Sequence, residues 1–199
     1  MSVQRIVVGI TGATGAVFGV RVLEALRAAD IETHLVLSKW GQQTVEHETG
    51  LRLDDLRERA TVLHGAGNMA ATVSSGSFRT DGMIIAPCSM RTAAAIANGC
   101  GDGLVHRAAD VVLKERRKLV LVARETPLSE VHLENLLKLS RMGVTILPPM
   151  PAFYNRPATV DDIVDHIVAR VLDQFGIDAE FAKRWDGNLA HAGGVRRLK

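Results

Sequence analysis

The turn Gly9-x-Thr11-Gly12-x-Thr14-Gly15-Ala16 is the first place where this 199-residue chain could do chemistry. Its glycines let the backbone approach a ligand, and a helix starting at its end would favour an anion. The spacing is not the GxGxxG of dinucleotide sites, and no Gly-Lys-Ser/Thr follows as in a nucleotide triphosphate loop. A tight glycine turn with no ligand is the plain alternative, but the two threonine hydroxyls add donors that a turn does not need. Three more polar segments belong with it: Ser38-Lys39-Trp40, Pro87-Cys88-Ser89-Met90-Arg91-Thr92 and Arg124-Glu125-Thr126-Pro127. Hydroxyls, free amides and an arginine suit one anionic, hydrogen-bonding ligand, such as a phosphate-bearing cofactor.

Each segment also has a plainer use. Ser38 and Ser89 are good helix caps. Cys88 fits a small buried hydrophobe better than a nucleophile, since no base with a recognisable pattern accompanies it. Arg124 and Glu125 could form a structural ion pair, or the guanidinium could grip a phosphate by two hydrogen bonds.

All four segments follow strand-like runs: Gln4–Ile10, Thr33–Leu37, Met83–Ala86 and Leu119–Ala123. Arg5–Ile10 is continuously apolar, as expected of a strand covered on both faces. Helical spacing marks Val17–Ala29, Gly41–Glu48, Asp54–Arg59, Thr92–Ala97, Leu104–Arg116, Ser129–Met142 and Asp161–Phe175. In the sixth of these, Leu133, Leu136, Leu137 and Ser140 are expected on one face. In the last, Ile163, Ile167, Val171 and Leu172 are expected inward. A short strand is expected at Thr145–Leu147. Residues 64–80 look irregular, with Ser74-Ser75-Gly76-Ser77 a functional or flexible loop. Strands alternating with helices imply an α/β fold, a three-layer doubly wound parallel sheet. Such sheets bind ligands beyond the carboxyl ends of their strands.

Composition narrows the class. The 47% apolar and 23% charged content is that of an ordinary soluble protein. A single domain over 1–183 is expected, followed by a basic C-terminal tail over 184–199 that could be a solvated end. From Arg184 onward the chain carries a net +3, so the remainder carries −1, and no basic face for nucleic acid follows. No apolar run is long enough to span a bilayer, and the N-terminus opens with a strand rather than a signal peptide. Two cysteines, Cys88 and Cys100, make neither a disulfide framework nor a metal spacing, which fits a cytoplasmic setting.

Asp161-Asp162-Ile163-Val164-Asp165 matches the DDxxD pattern that holds magnesium diphosphate, but such sites need a second acidic motif in an all-α fold. Thr159 can instead cap a helix whose first turn holds Asp161 and Asp162. The seven histidines make no HExxH-type pair, so no metal is expected. Asp110 and Lys114, four apart, could be an ordinary helix ion pair. Tyr154, the only tyrosine, lies in a loop stiffened by Pro148, Pro149 and Pro151.

Taken together, these stretches resemble the flavin prenyltransferase family. They look most like the branch known as the small subunit of phenolic or hydroxyarylic acid decarboxylases. The likeness runs through Gly9–Ala16, Glu32–Trp40, Ser74–Met83, Pro87–Thr92, Arg107–Arg116, Arg124–Pro127, Pro148–Tyr154 and Arg170–Phe175, in order over nearly the whole chain.

The resemblance implies a Rossmann-like or flavodoxin-like fold and a defined reaction. A dimethylallyl group passes from dimethylallyl monophosphate to N5 and C6 of reduced FMN. The prenylated FMN then serves a partner decarboxylase. It further implies a homo-oligomer, commonly a dodecamer, with sites between subunits and no metal. By matching motif, Gly12, Ala13, Thr14, Ser38 and Ser89 would contact FMN, as would Met90, Arg91, Thr92 and Arg124. Lys114, Arg124, Tyr154 and Arg170 would hold the prenyl phosphate, with Lys114 reaching in from a neighbouring subunit. Glu48 and Glu125 match family carboxylates near the reacting centre, so Glu48, Glu125, Thr14, Tyr154 and Lys114 form the expected catalytic set. Tyr154 or Trp185 could stabilise an allylic cation. Two positions depart from the common family pattern: Thr14 stands where many members have serine, and Arg91 where lysine is frequent.

Two other readings compete. A flavin-dependent decarboxylase of the cysteine-oxidising kind would need a flap cysteine, which the chain lacks, although His47 lies near the right region. A non-catalytic FMN-binding subunit would be favoured only by the loss of Glu125, Lys114 or Tyr154, and all three are present.

Overall fold

The computed structural model describes residues 4–185. Six parallel strands form one sheet: β1 (Arg5–Ile10), β2 (Glu32–Leu37), β3 (Val62–His64), β4 (Gly82–Cys88), β5 (Lys118–Ala123) and β6 (Thr145–Ile146). Their order is β3-β2-β1-β4-β5-β6. This is the Rossmann order, in which the winding reverses between β1 and β4 and opens a crevice there. The doubly wound α/β fold expected from the alternation is the one observed.

Helices α1 (Ala16–Ala28), α2 (Lys39–Thr49), α3 (Leu53–Arg59) and α7 (Val160–Asp173) cover one face of the sheet. Helices α4 (Met90–Asn98), α5 (Leu104–Lys114) and α6 (Glu130–Arg141) cover the other. Ile6, Val8 and Ile10 point into the first layer, while Val7, Met83 and Ile85 point into the second. Burial on both sides is why these strands read as unbroken apolar runs. Each fully buried leucine or isoleucine stabilises the fold by ~1.5–3 kcal/mol. In register, Ile10 lies opposite Leu37 and Cys88 opposite Ala123, so the loops after these strands emerge side by side.

Two features differ from expectation. β3 was not expected: it falls between the Asp54–Arg59 helix and the irregular 64–80 stretch, and its three half-buried residues show no alternation. In α6, Leu139 is buried, whereas Leu133 and Leu137 are 53% and 52% exposed. Leu133, Leu136, Leu137 and Ser140 share a face of α6 as expected, but that face is largely exposed, and the buried Leu139 lies on another. The inward set of α7 holds for Ile167, Val171 and Leu172, with Ile163 only half-buried.

The Ser74–Ser77 loop is held by cations. Arg107 Nε donates to the Ser74 carbonyl at 3.1 Å, and Arg117 Nη2 to that of Gly76 at 2.7 Å. Nearby, a polar chain crosses the start of the sheet. Arg5 Nε lies 2.6 Å from Glu32 Oε1, His34 Nε2 2.8 Å from the same oxygen, and His34 Nδ1 2.8 Å from His64 Nε2. The Arg5 hydrogen bond outweighs burial and holds the Glu32 carboxyl at about 2. An ionised Glu32 accepts from His34 Nε2. Burial, then the neighbouring His34, pushes His64 below its ordinary value.

Among the described residues no helix is long and apolar enough to cross a membrane. Residues 186–199, most of the expected basic tail, lie outside the described residues.

Candidate active site

The four strand-end loops are tied together before any ligand is considered. The Ser38 amide donates to the Ile10 carbonyl at 3.0 Å, joining the β2 loop to β1. Thr11 Oγ1 donates to the Pro87 carbonyl and accepts the Ser89 amide, both at 2.8 Å, across the β1–β4 switch point. The Arg124 amide donates to the Cys88 carbonyl at 3.1 Å. Thr11 is 1% exposed, so its hydroxyl serves this seam rather than a ligand. Thr14 remains exposed.

Ser38 caps α2 by accepting the Gly41 amide at 2.9 Å, and Ser89 caps α4 by accepting the Thr92 amide at 3.2 Å. The capping use of both serines is therefore real. It satisfies one amide per helix and leaves the other first-turn amides at the crevice, where an anion is favoured. Ser89 Oγ also donates to Thr92 Oγ1 at 3.1 Å, and Met90 is buried beside them. Arg91 is exposed, and Arg124 is half-buried. Glu125 is exposed and accepts the Thr126 amide at 3.2 Å, and among the described residues no Arg124–Glu125 ion pair is formed.

The first turn of α1 is not left open for a ligand's anion, as the glycine-rich turn suggested. Glu48 Oε2 accepts the Gly15 and Ala16 amides at 2.9 and 2.8 Å. Burial opposes ionisation of Glu48, but the hydroxyl of Thr14 and those two amides outweigh it and hold the carboxyl below its usual value. The helix end thus already has its negative charge. The same contact brings Thr14 and Glu48 together. Gly15, at φ 99°, adopts the left-handed conformation that lets the chain enter α1. Gly12 must lack a side chain because a Cβ there would collide with Trp40 Cβ.

The other expected site residues are elsewhere. Lys114 ends α5, which runs opposite to the strands, so it lies near the start of β5 rather than at the crevice. It pairs with Glu115, and Asp110 pairs with Arg107 at 2.6 Å, so the expected Asp110–Lys114 pair does not form. Tyr154 and Arg170 share an open pocket of about 360 Å³ with Trp185 and His166. Tyr154 meets His166 and Trp185 edge to face, with ring centroids 6.0 and 5.4 Å apart. One chain therefore holds the expected residues in three groups: the crevice, Lys114, and the Tyr154–Arg170 pocket.

Several residues were not singled out from sequence. Asp173 accepts from Arg170 at 2.6 Å and from both terminal nitrogens of Arg184, at 2.8 and 3.1 Å. Asn155 Nδ2 lies 2.9 Å from His166 Nδ1 and 3.2 Å from the Lys183 carbonyl. Arg170 and Asp173 are an i,i+3 pair within α7, whereas Arg184, Asn155 and Lys183 meet their partners from other segments, which no local pattern announces.

The remaining motifs behave structurally. Asp162 accepts the Ala158 and Thr159 amides at 2.8 and 3.0 Å in a capping box, and Asp165 pairs with Arg21 at 2.6 Å. Among the described residues no group of three or more His, Cys, Asp or Glu is placed to hold a metal ion. Cys88 is fully buried, which pushes its thiol up to about 12. That is an inert cysteine.

The Flavoprotein family profile matches residues 1–172. The chain is 63% identical over 194 residues to a probable UbiX-like flavin prenyltransferase of Streptomyces sp. (strain D7), covering 97% of each. It superposes with a TM-score of 0.92 on AnUbiX (PadA1) in complex with FMN and dimethylallyl pyrophosphate, at 54% identity over 94% of this chain and 99% of that one. A dodecameric FMN-dependent UbiX-like decarboxylase from Escherichia coli O157:H7 gives a TM-score of 0.91 at 62% identity, over 92% of this chain and 100% of that one.

Proposed function

The chain belongs to the flavoprotein family, among the UbiX-like flavin prenyltransferases, and on that premise we propose how its residues divide the reaction. The protein is a flavin prenyltransferase that joins a dimethylallyl group to reduced FMN. The observation that carries the assignment of residues is the seamed crevice at the β1–β4 switch point, with two helix starts, Arg124 and the Thr14–Glu48 contact around it.

The donor set fits FMN. First-turn amides of α2 and α4, with Ser38, Ser89 and Thr92, suit a phosphate or a polar ring edge. Gly12 and Ala13 allow close approach, Met90 offers an apolar wall, and Arg91 and Arg124 supply positive charge. FMN, bound in its reduced form, supplies the N5 and C6 atoms that take the prenyl group.

The chain's own residues then act on the donor. Breaking the allylic carbon–oxygen bond gives a dimethylallyl cation and releases phosphate. Arg124, Arg170, Tyr154 and Lys114 bind that phosphate, and the three cations among them stabilise its growing charge. Glu125 delivers a proton to a phosphate oxygen, while Glu48, by way of the Thr14 hydroxyl, would accept the proton that N5 of reduced FMN gives up on bonding to carbon. The rings of Tyr154 and Trp185 stabilise the cation.

Lys114 and the Tyr154–Arg170 pocket complete the crevice only when other copies supply them. The exposed Leu133 and Leu137 of α6 offer apolar surface for such packing, in keeping with a dodecamer. The product serves a partner decarboxylase. The unpaired thiols Cys88 and Cys100 support a cytoplasmic setting. Residues 1–183 act as the flavoprotein domain and 184–199 as its C-terminal extension.

Anaerobic incubation with reduced FMN and dimethylallyl phosphate tests the activity. Mass spectrometry should find a flavin heavier by one dimethylallyl unit. No adduct with either monophosphate or diphosphate donor would overturn the assignment.

A further inference from the structure

The pocket beside Tyr154 holds more positive charge than the expected donor residues account for. Arg170, Lys183 and Arg184 line it, together with the rings of Tyr154, Trp185 and His166, and no carboxylate is among the described lining residues. Cations beside apolar walls complement a small phosphate ester with a short hydrocarbon tail.

Arg170 and Arg184 reach this pocket from different elements, α7 and the segment that follows it. Asp173 joins them. Its carboxylate, 18% exposed, accepts from Arg170 Nη1 at 2.6 Å and takes Arg184 in a two-pronged pair at 2.8 and 3.1 Å. Arg184 Nη2 also lies 3.4 Å from Asp178, whose side chain is 80% exposed. One carboxylate therefore holds two guanidiniums side by side. Among the described residues these pairs leave Arg170 four of its five N–H donors and Arg184 two, and the side chains are 55% and 49% exposed. Asn155, donating to the Lys183 carbonyl, and the Tyr154–Trp185 contact pin the same segment from the other side.

We propose that Arg184 is a second guanidinium ligand for the phosphate of the prenyl donor, acting with Arg170 as a clamp whose spacing is set by Asp173. The proposal deepens, and rests on, the prenyl-transfer assignment above. In it Arg184 binds the donor, and Asp173 is a positioning residue.

The test compares wild-type protein with Arg184→Gln, Arg184→Lys and Asp173→Asn, all as FMN-loaded full-length chain. Calorimetry measures binding of dimethylallyl phosphate without turnover, and steady-state assays then separate KM from kcat. Arg184→Gln should weaken donor binding and raise KM by about tenfold, the effect of losing hydrogen bonds to a charged group. FMN affinity should stay at the wild-type value. Arg184→Lys should recover part of the loss, and Asp173→Asn should weaken donor binding while leaving FMN in place. Donor binding in Arg184→Gln equal to wild type would overturn the clamp. So would a parallel loss of FMN affinity and thermal stability, which would mark the Arg184–Asp173 pair as merely structural. A wild-type chain that binds the donor but forms no adduct counts against the prenyl-transfer assignment alone. A wild-type chain that binds no donor overturns both.

Discussion

The carboxylate of Glu48 receives the backbone amide of Gly15 at 2.9 Å, across 33 residues of sequence. The end of α2 thereby supplies the negative charge at the start of α1. Glu48→Gln should lower stability by about 0.3–1 kcal/mol, the usual worth of a charge at a helix end. The folded-state carboxyl titrates below its ordinary 4.5. Its contribution is therefore present above pH 4.5 and is lost as pH falls through the folded-state value. Urea midpoints measured across this range should fall less steeply in Glu48→Gln than in wild type. Equal slopes would remove Glu48 from this role.

Glu125 is exposed at the end of β5 and makes only a local contact with the Thr126 amide. Glu125→Gln should therefore fold and bind FMN like wild type. Its turnover should fall by about a hundredfold or more, as expected when a proton donor is removed. Unchanged kcat would reject the assigned role.

Gly12 lies against Trp40, with no room for even one methyl group. Gly12→Ala should cost about 1–3 kcal/mol, typical of overpacking, and weaken FMN retention. Adding Trp40→Gly removes the colliding Cβ and should restore part of that retention, measured by flavin fluorescence after gel filtration. A double variant no better than Gly12→Ala would contradict the proposed steric cause.

His64 is held below its ordinary 6.5, chiefly by burial. The unfolded chain then takes up a proton at this position before the folded one does. Stability from this group is complete above pH 6.5 and is lost as pH falls below it. His64→Asn should flatten the dependence of thermal midpoint on pH just below 6.5. A slope identical to wild type would show that His64 does not carry it.

Much of this arrangement was legible from the residues. β1, β2, β4 and β5 stand out because strands buried on both faces need uninterrupted apolar runs, and the polar loops at their ends stand out against them. β3 does not, since three half-buried residues carry no pattern. α6 misleads because Leu133 and Leu137 are spaced as for a core face yet point outward. The capture of the α1 amides by Glu48 is a long-range pairing, fixed only once the layers assemble, and the Asp173–Arg184 pair depends on how the segment after α7 folds back. Thr11 and Thr14 look equivalent in the turn, but one is sealed in the seam and the other is open.

The placement of Lys114 at the far end of α5 has a consequence for mixtures of variants. If each complete site borrows its lysine from a neighbour, a fault in the lysine and a fault in the crevice can reside in different chains. Glu125→Gln and Lys114→Ala proteins, each strongly impaired when pure, should regain activity when dissociated and reassembled together. Some mixed assemblies would join an intact crevice to an intact lysine. Activity would then belong to junctions between chains, and its recovery would depend on the mixing ratio.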